Sequence, residues 1–359
     1  MKNKKNNLEE LQNQVSSILS NTFFIEKKHP VFIEQKISIS KELKKINYAT
    51  KKPTQNNFLS LNYPVFLMNM PLSLNNDIPN NVWVEGKVTG EKAGSINLEK
   101  ALSEFIDFYS LLSQFAIVYL LPTTGNFQDL YYVANIGVAL DPTDSGIPFI
   151  LSNFRSGPRV NEEIIGRNFL SSMNFACFQP PYFFEGKADC LRIKKGVYAS
   201  GYGIRTDKQT HKWLMDNFNI KVISIKMTEP ALYHLDCNLF VINEENILAC
   251  TELLDPKDLK ELEKETNIIP ISIDDAFSGS CNSIQTGNGA IINASLLSSF
   301  KENSDDYFNE VKRIDKLGKI FTDLGYELIL IELKEATKSG ALASCCVCPL
   351  NYIGLESRI

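Results

Sequence analysis

Residues 196–226 read GVYASGYGIRTDKQTHKWLMDNFNIKVISIK. Gly196–Ser200 and Val222–Lys226 have the short, apolar-rich character of strands. Between them, Asp207–Phe218 has the spacing of an amphipathic helix. Gly201 and Gly203 mark the turn that separates the first strand from this helix. Strands and helices alternate in the same way in both directions from this stretch, without a sequence repeat strong enough to assert. Other strand-like runs are Val65–Met70, Ile117–Leu121, Leu130–Val138, Leu235–Ile242, Ala290–Asn293 and Glu327–Glu332. Further helices are expected at Leu98–Phe115, with Asn97 as N-cap, at Asp255–Glu265, and at Asp305–Leu324, ended by Gly325. The fold class is α/β, in one domain over residues 56–359, with polar loops carrying the chemistry.

Composition narrows the functional classes. The 359 residues are 44% hydrophobic and 22% charged, ordinary values for a globular protein. The formal net charge of −5 is unevenly placed: residues 1–55 hold eleven lysines against five acidic residues, so the remainder carries −11. An acidic body argues against nucleic acid as partner and suits a cationic small molecule. Residues 1–55 read as an appended Lys- and Asn-rich extension with one helical stretch near Leu8–Leu19. No run of some 18 apolar residues predicts a membrane span, and no apolar segment follows the polar N-terminus as in a secretory leader. Eight irregularly spaced cysteines do not resemble a disulfide framework. The expected setting is a reducing cytoplasm, although an effector exported without a cleavable leader would look the same. Oligomeric state is left open, a homo-oligomer included.

Few residues can do acid–base or nucleophilic chemistry here. Of the three histidines, His29, His211 and His234, only His234 opens a strand-like run with an acidic residue, Asp236, two positions on. Cys345 follows Ser339-Gly340 and precedes a Pro-Leu pair. A thiol, an imidazole and carboxylates distant in sequence form a cysteine-nucleophile site if the fold assembles them. Five further segments stand out: Asn80-Asn81-Val-Trp83, Asp129 to Asn135, Asn153 to Arg159, Phe184 to Asp189, and Gly201 to Asp207. Taken singly each has a structural reading; Gly201 and Gly203 make a turn, Arg205 or Asp207 caps a helix, and Asn135 ends a strand.

In order along the chain the segments are not independent. Phe66-Leu-Met-Asn-Met-Pro71, Asn81 with Trp83, Val133-Ala-Asn135, Phe184-Glu-Gly-x-x-Asp189, Tyr202-Gly-Ile-Arg-Thr-Asp207, His234-Leu-Asp236 and Ser339-Gly340 with Cys345 together resemble the guanidino-group-modifying, or pentein, superfamily. That group includes arginine deiminases, dimethylarginine dimethylaminohydrolases and amidinotransferases. The likeness runs from about Asn62 to Leu350 and is greatest to cyanobacterial-type arginine dihydrolases. It implies a five-bladed pseudo-symmetric α/β propeller with an axial active site, a small guanidino substrate such as arginine, and neither cofactor nor metal.

The resemblance also implies roles. Cys345 attacks the guanidinium carbon, and a bound cation with a neighbouring imidazolium favours its thiolate. His234 gives a proton to the departing nitrogen and then takes one from water. Glu185 and Asp236 hold the planar guanidinium by charge-assisted hydrogen bonds. Asp129 meets the substrate's polar end, Arg155 or Arg159 its carboxylate, and Asn81 and Ser339 contact it. Position 135 separates the subclasses. Deiminases resemble one another in an Asp there, whereas Asn135 can both donate and accept and so can hold a neutral ureido group. Arginine would then go to ornithine, ammonia and carbon dioxide. Citrulline as end product, a methylarginine substrate, amidino transfer and a non-catalytic pentein are the alternatives.

Two departures accompany the likeness. Cys345, Cys346 and Cys348 give three thiols and a CxxC spacing that zinc sites also use, and Ala341 stands where a second glycine is usual. Lys187 replaces the small residue usual after Glu185-Gly186; a lysine there either crowds a cation site or reaches solvent.

Overall fold

The strand–helix–strand units each gain a third strand and become blades. In the computed structural model, which describes residues 63–123, 127–144 and 146–355, five three-stranded sheets follow one another along the chain. The first begins with β1 (Val65–Asn69), crosses over through helix α1 (Leu98–Leu112) and returns as β2 (Ile117–Leu121). The second is β3 (Gly137–Ala139), β4 (Pro148–Leu151), α2 (Glu162–Ser172) and β5 (Ala176–Phe178). The third, around the 196–226 stretch, is β6 (Cys190–Lys194), β7 (Val197–Tyr202), α3 (Lys208–Phe218) and β8 (Lys221–Lys226). The fourth is β9 (Leu239–Asn243), β10 (Asn246–Ala249), α4 (Pro256–Glu263) and β11 (Asn267–Pro270). The fifth is β12 (Ile284–Gln285), β13 (Ala290–Ala294), α5 (Asp305–Asp323) and β14 (Glu327–Ile331). A last strand, β15 (Cys348–Pro349), returns to the first sheet. Every blade pairs its inner strand antiparallel and its outer strand parallel to the middle one. The whole is a pseudo-symmetric five-bladed α/β propeller.

Local chemistry explains most boundaries. Asn97 caps α1 by accepting from Lys100 N, Asp255 caps α4 from Lys257 N, and Ser304 caps α5 from Tyr307 N. Apolar side chains bury in the seams between blades: Leu191, Ile225, Leu239 and Ile247 pack between the third and fourth, Phe240, Ile291 and Phe321 between the fourth and fifth. Arg192 bridges three blades, reaching Asp141 at 2.7 Å and Glu244 at 2.8 Å.

Two sequence expectations change. The run Leu130–Val138 is not one strand; a 3-10 turn at Val133–Asn135 precedes the short β3. Likewise Leu235–Ile242 starts as a 3-10 turn at Leu235–Cys237, and β9 begins only at Leu239. Asn238 gives the reason in the second case, because its side-chain amide donates to the carbonyls of Leu232 (2.9 Å) and His234 (3.2 Å), holding the chain in a turn. Helix α2 has no counterpart in the sequence reading. Gly166 interrupts its apolar face, yet a Cβ there would lie 2.4 Å from Ile136, so the glycine is what lets the helix pack. The extension at residues 1–55, with its helix near Leu8–Leu19, lies outside the described residues.

The ring is closed by its ends. Phe66 pairs with Pro349 and Leu67 with Cys348. Asn351 then clamps the seam, accepting from Val65 N at 3.1 Å and donating to Tyr63 O at 2.9 Å. Asn351→Ala should cost about 1–3 kcal/mol by leaving a buried N–H unpaired, lowering the thermal unfolding midpoint. An unchanged midpoint would mean that this clamp adds nothing to closure.

Candidate active site

Each inner strand is entered through a turn, and corresponding places in these turns supply the site. Five residues before the inner strands β3, β6, β9, β12 and β15 stand Tyr132, Glu185, His234, Gly279 and Ala343. Three before them stand Ala134, Lys187, Asp236, Cys281 and Cys345, and two before them Asn135, Ala188, Cys237, Asn282 and Cys346. Glu185 and His234 are thus equivalent positions in adjacent blades. So are Lys187, Asp236 and Cys345.

A small cavity opens beside these turns, lined by Asn80, Asn81, Asp129, Tyr132, Asn135, Arg159, Arg205, Tyr233, His234, Ser339, Ala341 and Cys345. Most sequence-expected residues meet there: Cys345, His234, Asn135, Asp129, Asn81, Ser339 and Arg159. Glu185 does not line it. Fully buried, it stands behind the imidazole, with Oε2 2.8 Å from His234 Nε2 and Oε1 accepting from Arg205 Nη1 at 3.3 Å. Burial alone would raise the Glu185 carboxyl, but Arg205, the His234 hydrogen bond and Arg159 outweigh it and hold the group well below the usual carboxylate range. A fixed carboxylate on Nε2 orients the ring. Asn135 Nδ2 lies 3.2 Å from the same ring nitrogen, and 3.4 Å from Glu185 O.

His234 is also held by its backbone. Asp189, the last residue of the Phe184–Asp189 segment, accepts from Leu235 N at 3.1 Å and from Thr206 Oγ1 at 2.6 Å. Burial pushes its carboxyl up to about 6.

Cys345 lies in the turn before the closing strand. Burial pushes its thiol up to about 11, with the Asp236 carboxylate adding to this and the Asn282 amide and Lys187 acting against it. Asn282 was not foreseen. Its Oδ1 accepts from Ser344 N at 2.8 Å, which turns its Nδ2 toward Cys345 Sγ at 3.4 Å. The only signal for it is its place two residues before an inner strand, matching Asn135, and that match requires the strands to be placed first. The neighbouring thiols diverge: Cys346 Sγ faces Leu342 O and Cys348 Sγ faces Gly137 O.

Three expected contacts are arranged differently. Asp236 does not line this cavity; its Oδ2 accepts from Ser344 Oγ at 2.9 Å and from Lys187 Nζ at 3.2 Å. Arg155 lies outside as well, paired with Asp207 and stacked 4.3 Å over the ring of Phe183. Asn81 lines the wall, but its amide is occupied by Asn80 Oδ1 at 2.9 Å and Ser339 O at 3.0 Å, while its Oδ1 caps Trp83 N and Val84 N. Gly340 keeps this wall closed: at φ +72°, a Cβ there would stand 2.8 Å from Trp83.

The cavity's polar end holds both charges. Asp129 accepts from Asn80 Nδ2 at 2.6 Å and Gln128 Nε2 at 3.1 Å, and burial raises its carboxyl. Arg159 is committed to Glu162 (Nη2 2.7 Å) and to the carbonyls of Asp129 and Tyr132. Arg205 stacks 4.7 Å over Tyr233; in the sequence it belongs to the Tyr202–Asp207 segment and has no role there beyond capping a helix. Among the described residues no cluster of three His, Cys, Asp or Glu side chains is placed to hold a metal, and no helix is long and apolar enough to cross a membrane.

Five ββαβ blades around such a cavity are the pentein fold. No protein-family model matches the chain. It is similar to the bifunctional arginine dihydrolase/ornithine cyclodeaminase AgrE of Nostoc sp., 25% identical over 286 residues, which is 78% of this chain and 37% of AgrE. It is also similar to the N(G),N(G)-dimethylarginine dimethylaminohydrolase of Mycobacterium tuberculosis, 22% identical over 65% of this chain and 69% of that protein. Among solved structures, the substrate-bound N-terminal domain of ArgZ, an arginine dihydrolase from the ornithine-ammonia cycle in cyanobacteria, matches 80% of this chain and 98% of its own at 21% identity, with a TM-score of 0.66. The chain thus spans little more than a third of AgrE, 37%.

The thiol gives a direct measurement. Its pKa of about 11 means that the free protein's Cys345 thiolate fraction should rise about tenfold per pH unit between pH 7 and 9. Iodoacetamide labelling of the Cys345 peptide, followed by mass spectrometry, should rise in parallel. A rate already level at pH 8 would contradict this environment.

Proposed function

We propose that this chain hydrolyses the guanidino group of free arginine through a covalent cysteine intermediate, giving ornithine, two ammonia and carbon dioxide. The observation that carries the reading is the convergence of Cys345, His234 and Asn135 on one cavity that Asp129 and Arg205 also line. Its similarity to AgrE and ArgZ, both described as arginine dihydrolases, supports the same substrate.

The steps follow from the geometry. Asp129 faces the α-ammonium and Arg205 the α-carboxylate, so the guanidinium carbon is directed toward Cys345. Arg205 replaces Arg155 in this role because it lines the cavity. The Cys345 thiolate attacks that carbon and a C–S bond forms. His234, oriented by Glu185, gives its proton to a terminal nitrogen, the C–N bond breaks and ammonia leaves. His234 then takes a proton from water as the water attacks the same carbon, the C–S bond breaks and citrulline remains. In a second round the ureido carbon is attacked in the same way, a second ammonia departs, and water releases a carbamate that collapses to ornithine and carbon dioxide.

Asn135 supports continuation past citrulline. An aspartate beside the imidazole would favour only the cation, whereas an amide can accept from a guanidinium or pair with a ureido group. The similarity to a dimethylarginine hydrolase keeps methylarginine as the competing substrate to be tested in parallel.

Incubation with arginine should yield ornithine with about two ammonia per arginine consumed, measured by amino-acid analysis and an ammonia assay. Cys345→Ala and His234→Ala should each lower kcat by at least about 10³-fold, and Asn135→Asp should shift the product toward citrulline. Citrulline alone from the wild type would make the chain a deiminase. Turnover of no guanidine would remove the reading.

A further inference from the structure

Lys187 departs from the pattern the rest of the site follows, and the fold gives it a defined place. It stands three residues before its inner strand, where the adjacent blade has Asp236 and the closing one Cys345. It does not line the cavity that holds Cys345 and His234, nor does it extend into solvent. Its side chain is 13% exposed, its Nζ is 3.2 Å from Asp236 Oδ2, and it hydrogen-bonds Ser344 Oγ. Ser344 Oγ donates in turn to Asp236 Oδ2 at 2.9 Å. Ammonium, hydroxyl and carboxylate form a closed triangle beside the nucleophile, because Ser344 immediately precedes Cys345. The triangle faces a second, mainly apolar cavity among the inner strands, which Lys187, Asp236 and Ser344 line with Phe66, Leu239 and Tyr352.

Asp236 is 1% exposed, so water does little to screen its charge. Unpaired, it would draw any cation in the adjacent site and oppose any anion there, the Cys345 thiolate included. Lys187 opposes both effects. Among the described residues Asp236 Oδ1 meets the Cys237 thiol, 3.9 Å away, so the charge that Asp236 projects on the neighbouring Cys345 cavity is largely answered by Lys187.

We propose that Lys187 is a specificity-determining residue: a built-in counter-cation to Asp236 that weakens the preference of the neighbouring Cys345 cavity for a charged guanidinium, so that a neutral ureido group is held nearly as well. The inference rests on the arginine-hydrolase reading and deepens it. A dihydrolase must keep its grip as the reacting group loses its charge between the two rounds. With an unpaired Asp236 most of the attraction would vanish at citrulline; with Lys187 in place the difference between the two ligands is small.

The test separates binding from turnover. In a Cys345→Ala background, calorimetric Kd values are measured for arginine and citrulline with Lys187, Lys187→Met, Lys187→Gln and Lys187→Arg. Lys187→Met and Lys187→Gln should tighten arginine by about tenfold and change citrulline by less than about threefold, as expected when a buried charge loses its partner. Lys187→Arg should leave the ratio of the two within about threefold of the parent. Lys187→Gln keeps a donor for Asp236 and Ser344 and so guards against a folding defect in Lys187→Met. A second arm needs no substrate: with Cys345 restored, Lys187→Gln should move the pH profile of Cys345 alkylation upward. Both ligands binding with an unchanged ratio would overturn the role of Lys187 and leave the functional reading standing. Failure of the parent to bind either ligand would remove the functional reading and this inference with it, while the alkylation profile still reports whether Lys187 acts on the thiol.

Discussion

The antiparallel pairing of the last strand with the first is the contact on which the site depends. Cys348 and Pro349 add the inner strand of the blade begun by Val65–Asn69, and Cys345 lies three residues before that strand. The chain must therefore return through nearly three hundred residues before the Cys345 thiol has a position. Closure fixes the ring and the thiol together, because both need the same strand. Such a long-range contact has a high loop-closure entropy to overcome, and the paired backbone groups with the Asn351 clamp supply the local compensation.

Charge burial is the second constraint. Each carboxylate at the axis is held by particular donors: Glu185 by His234 and Arg205, Asp236 by Lys187 and Ser344, Asp129 by Asn80 and Gln128, Asp189 by Thr206 and Leu235 N. Buried charges survive only with such partners. The result is that the acidic groups orient other groups as much as they receive a substrate. Glu185 sets the histidine, Asp189 sets the histidine's backbone, and Asp236 is balanced by a lysine. The groups left facing the cavity are a thiol, an imidazole, amides, one carboxylate, arginines, two tyrosines and a serine.

The α/β class, the capped helices after Asn97 and Asp255 and before Gly325, and the strands flanking the 196–226 helix were legible because each is written in local periodicity and capping chemistry. Cys345 and His234 were legible as candidates because the chain has only three histidines and few thiols in such company; Asn135 and Asp129 were legible only through the resemblance of the ordered segments, and the structure brings all four to one cavity. The exact partners were not. Arg155 and Arg205 look alike in the sequence, yet one pairs with Asp207 outside the cavity and the other lines it. The fivefold repetition of the entry turns is invisible without the strands, since the equivalent positions hold residues as unlike as Lys187, Asp236 and Cys345.

What the chain alone determined was therefore the inventory: which segments can pair, which can coil, and which side chains carry nucleophilic or acid–base capacity, all properties of near neighbours and residue type. Which carboxylate meets which cation was decided only by the closed ring. Direction, burial and distance between residues far apart in the chain depend on how five blades meet at one axis, and no local pattern encodes that.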